Sequence, residues 1–238
     1  MNHERGERSG EEHVSEWAQL HRTDTPTGFV AGWLRASAAV ARPLARAGIS
    51  PNTVTVVACL TGIAAVPLAM IDGWPGPAAA CLAVVISGML DSLDGAVAVQ
   101  AGRATKVGFL LDSALDRLAD AAFPVALAIV AGSGAWVAVG AVAACWWMEY
   151  IRARASLADA TGQAVVDRQS PGHQLITPGE RPTRIVLTAF GLGIPPLALA
   201  ALWGHVVIVG GSAVLLLVHS LVRLHRRDRG ASPPSPTT

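Results

Sequence analysis

Two pairs of aspartates stand at spacings that put each pair on one side of a helix. Asp91 and Asp94 are three residues apart, and Asp112 and Asp116 are four apart. Both pairs sit in apolar surroundings, Gly88-Met89-Leu90-Asp91-Ser92-Leu93-Asp94-Gly95 and Gly108-Phe109-Leu110-Leu111-Asp112-Ser113-Ala114-Leu115-Asp116. Carboxylates in such surroundings are costly and are functional by default. One pair alone is equally a proton relay or an interhelical hydrogen bond. Two pairs on adjacent helices repel strongly and call for protons or bound cations. Oxygen ligands with no His or Cys nearby suit a hard cation such as Mg²⁺, Mn²⁺ or Ca²⁺. Four acids can hold two ions through shared carboxylates, and a two-ion site orients and neutralises phosphate oxygens in a displacement reaction. Gly88, Gly95 and Gly108 leave room for a ligand close to the backbone. Asp120, a further four residues on, is expected to pair with Arg117 or with a neighbouring helix.

The elements that hold these acids follow from composition. The 238-residue chain is 52% hydrophobic and 15% charged, with a mean hydropathy of +0.44. A soluble domain carries about 25% charged residues. The composition excludes disorder over most of the length, a collagen-like repeat and a disulfide scaffold. A net charge of +1 excludes a broad basic field, so no nucleic-acid partner is expected. Cys59, Cys81 and Cys145 all lie in apolar runs and read as small core hydrophobes. Met1 to Thr27 is polar, with no apolar centre, so no secretory leader is expected.

At about 20 apolar residues per crossing, the charge-free regions predict an all-α integral membrane fold. Six transmembrane helices are placed near 52–71, 77–101, 108–131, 135–158, 184–202 and 205–224, with a turn at Trp203-Gly204-His205 between the last two. Lys and Arg gather on one side of this arrangement, in the segment before the first span, the 2–3 loop, the 4–5 loop and the tail. The opposite loops carry none, so those four regions, both termini and the acids are placed on the cytoplasmic face of the cell membrane. Trp74, Trp136 and Trp203 are expected at the outer turns as an aromatic belt. Between Gly28 and Ala47, Phe29, Trp33, Val40 and Leu44 fall near one face while Arg35, Arg42 and Arg46 fall off it. This predicts an amphipathic helix lying in the inner interface against anionic membrane lipids. A polar mobile tail over 1–27 and a basic, then Pro/Ser/Thr-rich tail over 226–238 flank the membrane domain at 28–225. The second and third helices run antiparallel, which puts both acid pairs within roughly 15 Å of the cytoplasmic helix ends at a 1.5 Å rise per residue.

The stretch Asp91 to Asp116 resembles the signature of the CDP-alcohol phosphotransferases, Asp-x2-Asp-Gly-x2-Ala-Arg-x8-Gly-x3-Asp-x3-Asp. It matches at Asp91, Asp94, Gly95, Ala98, Gly108, Asp112 and Asp116 with every spacing kept. The resemblance runs over about 28–225 and includes Ser50-Pro51-Asn52-Thr53-Val54-Thr55. It implies that Asp91, Asp94, Asp112 and Asp116 hold two divalent ions, Mg²⁺ or Mn²⁺, on the diphosphate of CDP-diacylglycerol. It implies that Asp116 is also the general base toward an acceptor hydroxyl, with CMP leaving. Pro51, Asn52, Thr53, Val54, Gly95, Ala98, Thr105 and Gly108 would line the donor site, and a homodimer is suggested. Val99 stands where the signature has Arg. Arg103, four residues on, could reach back along the same face if the helix continues; it is equally a topology or headgroup arginine.

Glu149-Tyr150-Ile151-Arg152-Ala153-Arg154-Ala155 and Gly179-Glu180-Arg181-Pro182-Thr183-Arg184 look like the phosphatidylinositol-phosphate synthase branch of that family. That likeness implies that Arg152, Arg154, Arg181 and Arg184 bind the phosphate of inositol 1-phosphate, as guanidinium forks do. Glycerol 3-phosphate would want the same charges. A cation transporter and a relative with weakened catalysis are the competing readings, and apolar outer halves of the two acid-bearing helices argue against the transporter.

Overall fold

Ser50 and Pro51 begin a helix as their chemistry dictates. The Ser50 side chain accepts from the Thr53 N–H at 3.2 Å, and Pro51 fills the first position, where no N–H is needed. A computed structural model describes residues 28–163 and 177–230. The described chain is helical, with no strand among those residues. The order is α1 (Gly28–Arg46), α2 (Pro51–Ala69), α3 (Pro75–Ala101), α4 (Lys106–Ala131), α5 (Ala135–Gln163) and α6 (Arg181–Gly193). A 3-10 turn (Pro195–Leu197), α7 (Ala198–Gly204), a π-helical segment (His205–Val209) and α8 (Gly210–Gly230) follow. The expected polar flanks at 1–27 and from 231 on, most of the 159–180 connection, and the side chains of Phe29 and Trp33 lie outside the described residues.

Among the described residues, three segments are long and apolar enough to cross a bilayer: Pro51–Ala69, Pro75–Ala101 and Pro195–Arg229. The packing inverts that of a soluble domain. The main core is built largely of alanines (Ala65 and Ala69 of α2, Ala80 and Ala83 of α3, Ala126 of α4, Ala138 and Ala141 of α5, Ala198 and Ala201 of α7) around Phe123, Leu127, Leu192 and Leu202. Larger apolar side chains such as Leu60, Leu82, Val139, Val207 and Leu215 face outward. Lipid gives large apolar groups no reason to turn inward, so helix association relies on close contact between small residues.

α2 packs along both α3 and α4, which touch each other only slightly. The two acid-bearing helices are therefore held side by side across α2. On α1 the buried face is Ser37, Ala38 and Ala41, and Val40 faces outward. Ala41 joins Val54, Ala96 and Val97 in a small cluster that ties α1 to α2 and α3.

Two expectations are corrected. The break in the last apolar run falls at Ile194–Pro196 and not at Trp203–His205. Pro195 and Pro196 offer no N–H, and Ile194 is held off helical geometry at φ −128 and ψ 80 as the residue before proline. The chain stays helical through Gly204, so Trp203 lies inside a helix, while Trp74 and Trp136 do sit at helix starts. Nor does α3 continue to Arg103. Gly102, at φ 61, closes it with paired bonds from Gly102 N–H to Val99 O (3.2 Å) and Arg103 N–H to Ala98 O (2.9 Å). Arg103 thus leaves the helical face that Val99 occupies.

Gly62 marks where α2, α3 and α4 approach most intimately. A Cβ there would lie 2.8 Å from Ser87 Oγ and 3.0 Å from Ala119 Cβ. Gly62→Val is expected to cost about 1–3 kcal/mol through overpacking. Gly211→Ala in α8, with nothing within 4 Å, is expected to be neutral or to stabilise by up to about 1 kcal/mol from helix propensity. Thermal unfolding of the two variants in one detergent checks both.

Candidate active site

The start of α2, the second half of α3, the first half of α4 and the start of α6 converge at one end of the bundle. Oxygens of Asp91, Asp112 and Asp116 all lie within 4.8 Å of one another. Asp94 is buried and accepts a hydrogen bond from Thr55 Oγ1 at 2.7 Å. Three of the four acids expected to act together thus converge, and the fourth, Asp94, is held by α2. Asp112 Oδ1 is buried and has no hydrogen-bond partner among the described residues. A buried carboxylate oxygen without a donor is costly. An all-oxygen set of three converging carboxylates with one unsatisfied atom fits a hard divalent cation in donor type and number.

The expected donor-side residues divide. Gly95 is exposed, and a Cβ there would meet nothing within 4 Å, so the backbone at this point is open to a ligand. Asn52 Oδ1 lies 3.1 Å from where a Gly108 Cβ would stand. The Thr105 hydroxyl accepts from Gly108 N–H at 3.0 Å and starts α4. Asn52, Thr105 and Gly108 therefore form one patch beside the acids. Ala98 is half-buried, Pro51 is half-buried, and Thr53 is exposed with its hydroxyl 3.1 Å from that of Ser50. Val54 turns into the cluster with Ala41 and Val97. Arg103 is exposed in the loop.

The four arginines expected on an acceptor phosphate also divide. Arg181, at the first position of α6, pairs with Asp91 and Asp116, and its Nε lies 3.6 Å from Asp120. Arg184 is 2% exposed, held 3.2 Å from both Asp120 and Glu149 and in contact with Cys145 Sγ. Arg152 forks onto Glu180 at 3.0 and 2.7 Å. Arg154 is exposed on α5.

Asp120 pairs with Arg117 at 3.2 Å, as expected, and Arg117 continues to Glu149 at 3.0 Å. Thr55, Glu149 and Glu180 are site residues that the sequence reading did not single out. The signal for the two glutamates was a lone acid inside an otherwise basic segment; Thr55 offered none beyond lying one turn past Pro51. Burial alone would push the Glu180 carboxyl up. The two hydrogen bonds and the charge of Arg152, with donors from the Thr177 backbone and hydroxyl at 3.2 Å, hold it below the usual carboxylate range. Glu180 therefore stays ionised and pins the start of α6, where Gly179 N–H also donates to Ser212 Oγ at 2.9 Å. Seven carboxylates (Asp91, Asp94, Asp112, Asp116, Asp120, Glu149, Glu180) face four guanidiniums (Arg117, Arg152, Arg181, Arg184), a formal excess of three negative charges.

Residues 48–219 match the family model described as CDP-alcohol phosphatidyltransferase. The chain is 31% identical over 221 residues to a phosphatidylinositol phosphate synthase of Mycolicibacterium smegmatis, covering 86% of this chain and 90% of that one. It is similar to crystal structures of Mycobacterium tuberculosis phosphatidylinositol phosphate synthase at 26% identity. One, with CDP-DAG bound, gives a TM-score of 0.57 over 86% of this chain and 98% of that one. Another, in complex with manganese and citrate, gives 0.58 over 85% and 92%. Three converging aspartates and the buried Asp94, one pair of the four on a helix apolar enough for a bilayer, carry the spacing of a family that this chain matches over most of its length: it belongs to the CDP-alcohol phosphatidyltransferases and is a membrane transferase.

Proposed function

We propose that the protein transfers a phosphatidyl group from CDP-diacylglycerol to inositol 1-phosphate, releasing CMP, as a step of phospholipid synthesis. The observation that carries this reading is the convergence of Asp91, Asp112 and Asp116 within 4.8 Å, with Arg181 at its edge. The similarity to phosphatidylinositol phosphate synthases over most of the chain supports the choice of acceptor. Asp91, Asp94, Asp112 and Asp116 would hold two divalent ions, Mg²⁺ or Mn²⁺. When bound, such ions neutralise and orient diphosphate oxygens for in-line displacement.

The chain's own groups do the rest. Thr55 orients Asp94 from α2. Gly95 admits the donor close to the α3 backbone, and Asn52, Thr105 and Gly108 lie beside the acids. Asp116 takes the proton of the acceptor hydroxyl as its oxygen attacks the β-phosphorus. The bond to CMP breaks, and CMP leaves with the electron pair. Arg181 receives the acceptor phosphate. Arg152 acts through Glu180 and Arg184 through Asp120 and Glu149, both as positioning residues. In the bilayer, α2 to α5, α6 and the run from Pro195 make six crossings, with α1 on the inner interface. The site and both termini face the cytoplasm, and two chains form a homodimer.

Purified protein in micelles with Mg²⁺ and CDP-diacylglycerol is expected to release CMP with inositol 1-phosphate; release with glycerol 3-phosphate alone would overturn the acceptor, and release with neither would overturn the reaction. Asp116→Asn is expected to lower kcat by about 10²–10⁴-fold, the usual contribution of a general base, while donor binding persists. Thr55→Val should weaken metal affinity by about 10–100-fold, as loss of a partner that orients a ligand does. A Mg²⁺ titration of activity and of Mn²⁺ binding by paramagnetic resonance checks that figure.

A further inference from the structure

Arg181 is held by the wrong acids for a residue whose only task is to wait for a phosphate. Its side chain is 11% exposed, and its Nη1 pairs with both Asp91 and Asp116. Those are two of the three carboxylates whose oxygens converge within 4.8 Å. The other arginines of the site lean elsewhere. Arg184, one turn along α6, is held at 3.2 Å by Asp120 and by Glu149. Arg117 is nearer to Glu149 (3.0 Å) and Asp120 (3.2 Å) than to Asp116 (3.8 Å). One guanidinium nitrogen seated between Asp91 Oδ1 and Asp116 Oδ1 takes the space that an ion bridging those two oxygens would need, and the two cations would repel at such short range.

We infer that Arg181 is the chain's own counter-cation for the acid cluster, that it competes with divalent ions for Asp91 and Asp116, and that ion binding turns it outward toward an anionic group. This rests on the metal reading above. The movement is one of the side chain, because the start of α6 is fixed independently by the Arg152–Glu180 fork and the Gly179–Ser212 bond. Arginine's long stem can swing its head without moving the backbone. Two consequences follow. The cluster is neutralised in part before any ion arrives, and the freed guanidinium appears at the rim only once the ions are in place. Loading order is thereby built into the site: divalent ions first, acceptor phosphate second.

The test is arginine modification by phenylglyoxal on the full chain in micelles, read residue by residue by mass spectrometry, with EDTA and with Mn²⁺. Labelling of Arg181 is expected to rise about fivefold or more with Mn²⁺, in line with release of a charge-assisted hydrogen bond. Arg184, kept by Asp120 and Glu149, is expected to remain protected in both conditions. In parallel, Arg181→Gln should tighten Mn²⁺ binding, measured by paramagnetic resonance, by about tenfold, the value of one such bond. Arg117→Gln removes an equal charge that is seated on other acids and should change Mn²⁺ binding by much less. Bound Mn²⁺ with Arg181 still protected, or equal tightening in both variants, overturns the competition and leaves the metal site standing. Absence of Mn²⁺ binding in the wild type overturns the metal reading and the competition together.

Discussion

Carboxylates gathered in an apolar bundle repel one another, and the architecture around them answers that repulsion. Two full charges about 5 Å apart at an effective dielectric constant of 20 cost roughly 3 kcal/mol. Asp91, Asp112 and Asp116 contain three such contacts within 4.8 Å, with Asp94 alongside. Nothing in the helices' own hydrogen bonding can absorb this. The compensation comes from elsewhere in the chain, as a hydroxyl from α2 and guanidiniums from α4 and α6, and in the proposed reaction from hard cations as well. The same repulsion that opposes folding of the site is what gives it a use for divalent ions.

The alanine-rich core is what lets those distant groups reach. With small residues at the contacts, α2 can lie against α3 and α4 together and deliver Thr55 to Asp94 from 39 residues away. α6 delivers Arg181 and Arg184 to acids of α3, α4 and α5 in one turn. Alternation of sign then runs from Asp91 through Arg181 to Asp116, and from Asp120 through Arg117 and Arg184 to Glu149 and Arg152. Buried ion pairs of this kind contribute little net stability, because desolvation offsets attraction, but removal of one partner leaves a charge that is hard to accommodate. A network of this type fixes geometry more than it adds stability.

What could be read from sequence was what depends on short spacings. The acid pairs, their common helix faces and their common depth all follow from helical periodicity over a few residues. The first four apolar helices did too, because charge or a Gly-rich turn bounds each one. The expected fifth and sixth lie in one charge-free run whose expected turn is Trp203-Gly204-His205, whereas the structure divides it at Pro195-Pro196. Gly204 in a helix costs about 1 kcal/mol and is tolerated, whereas Pro195-Pro196 removes donors outright, and the stronger breaker wins. Arg103 shares a face with Val99 only if the helix goes on, and Gly102 adopts the left-handed conformation that ends it. The branch likeness puts Arg184 among the phosphate-binding arginines, and nothing local in the sequence points to its partners Asp120 and Glu149, which are far off in the chain. Long-range pairing of charges leaves no trace in local spacing, and neither does the Thr55–Asp94 bond.

Val99 shows how the missing arginine of the signature is compatible with this arrangement. The residue is 8% exposed in α3, so a guanidinium here would be placed on the packed side of the helix. Without it, the site keeps an excess of three negative charges over its four arginines. The Gly102 turn folds the Arg103 backbone back onto Ala98 but does not place its side chain in register with position 99. In the proposed reaction, the charge that the resemblance assigns to the signature arginine is left to cations held by the acids. If the acids hold divalent ions as proposed, this charge balance makes donor binding depend on them.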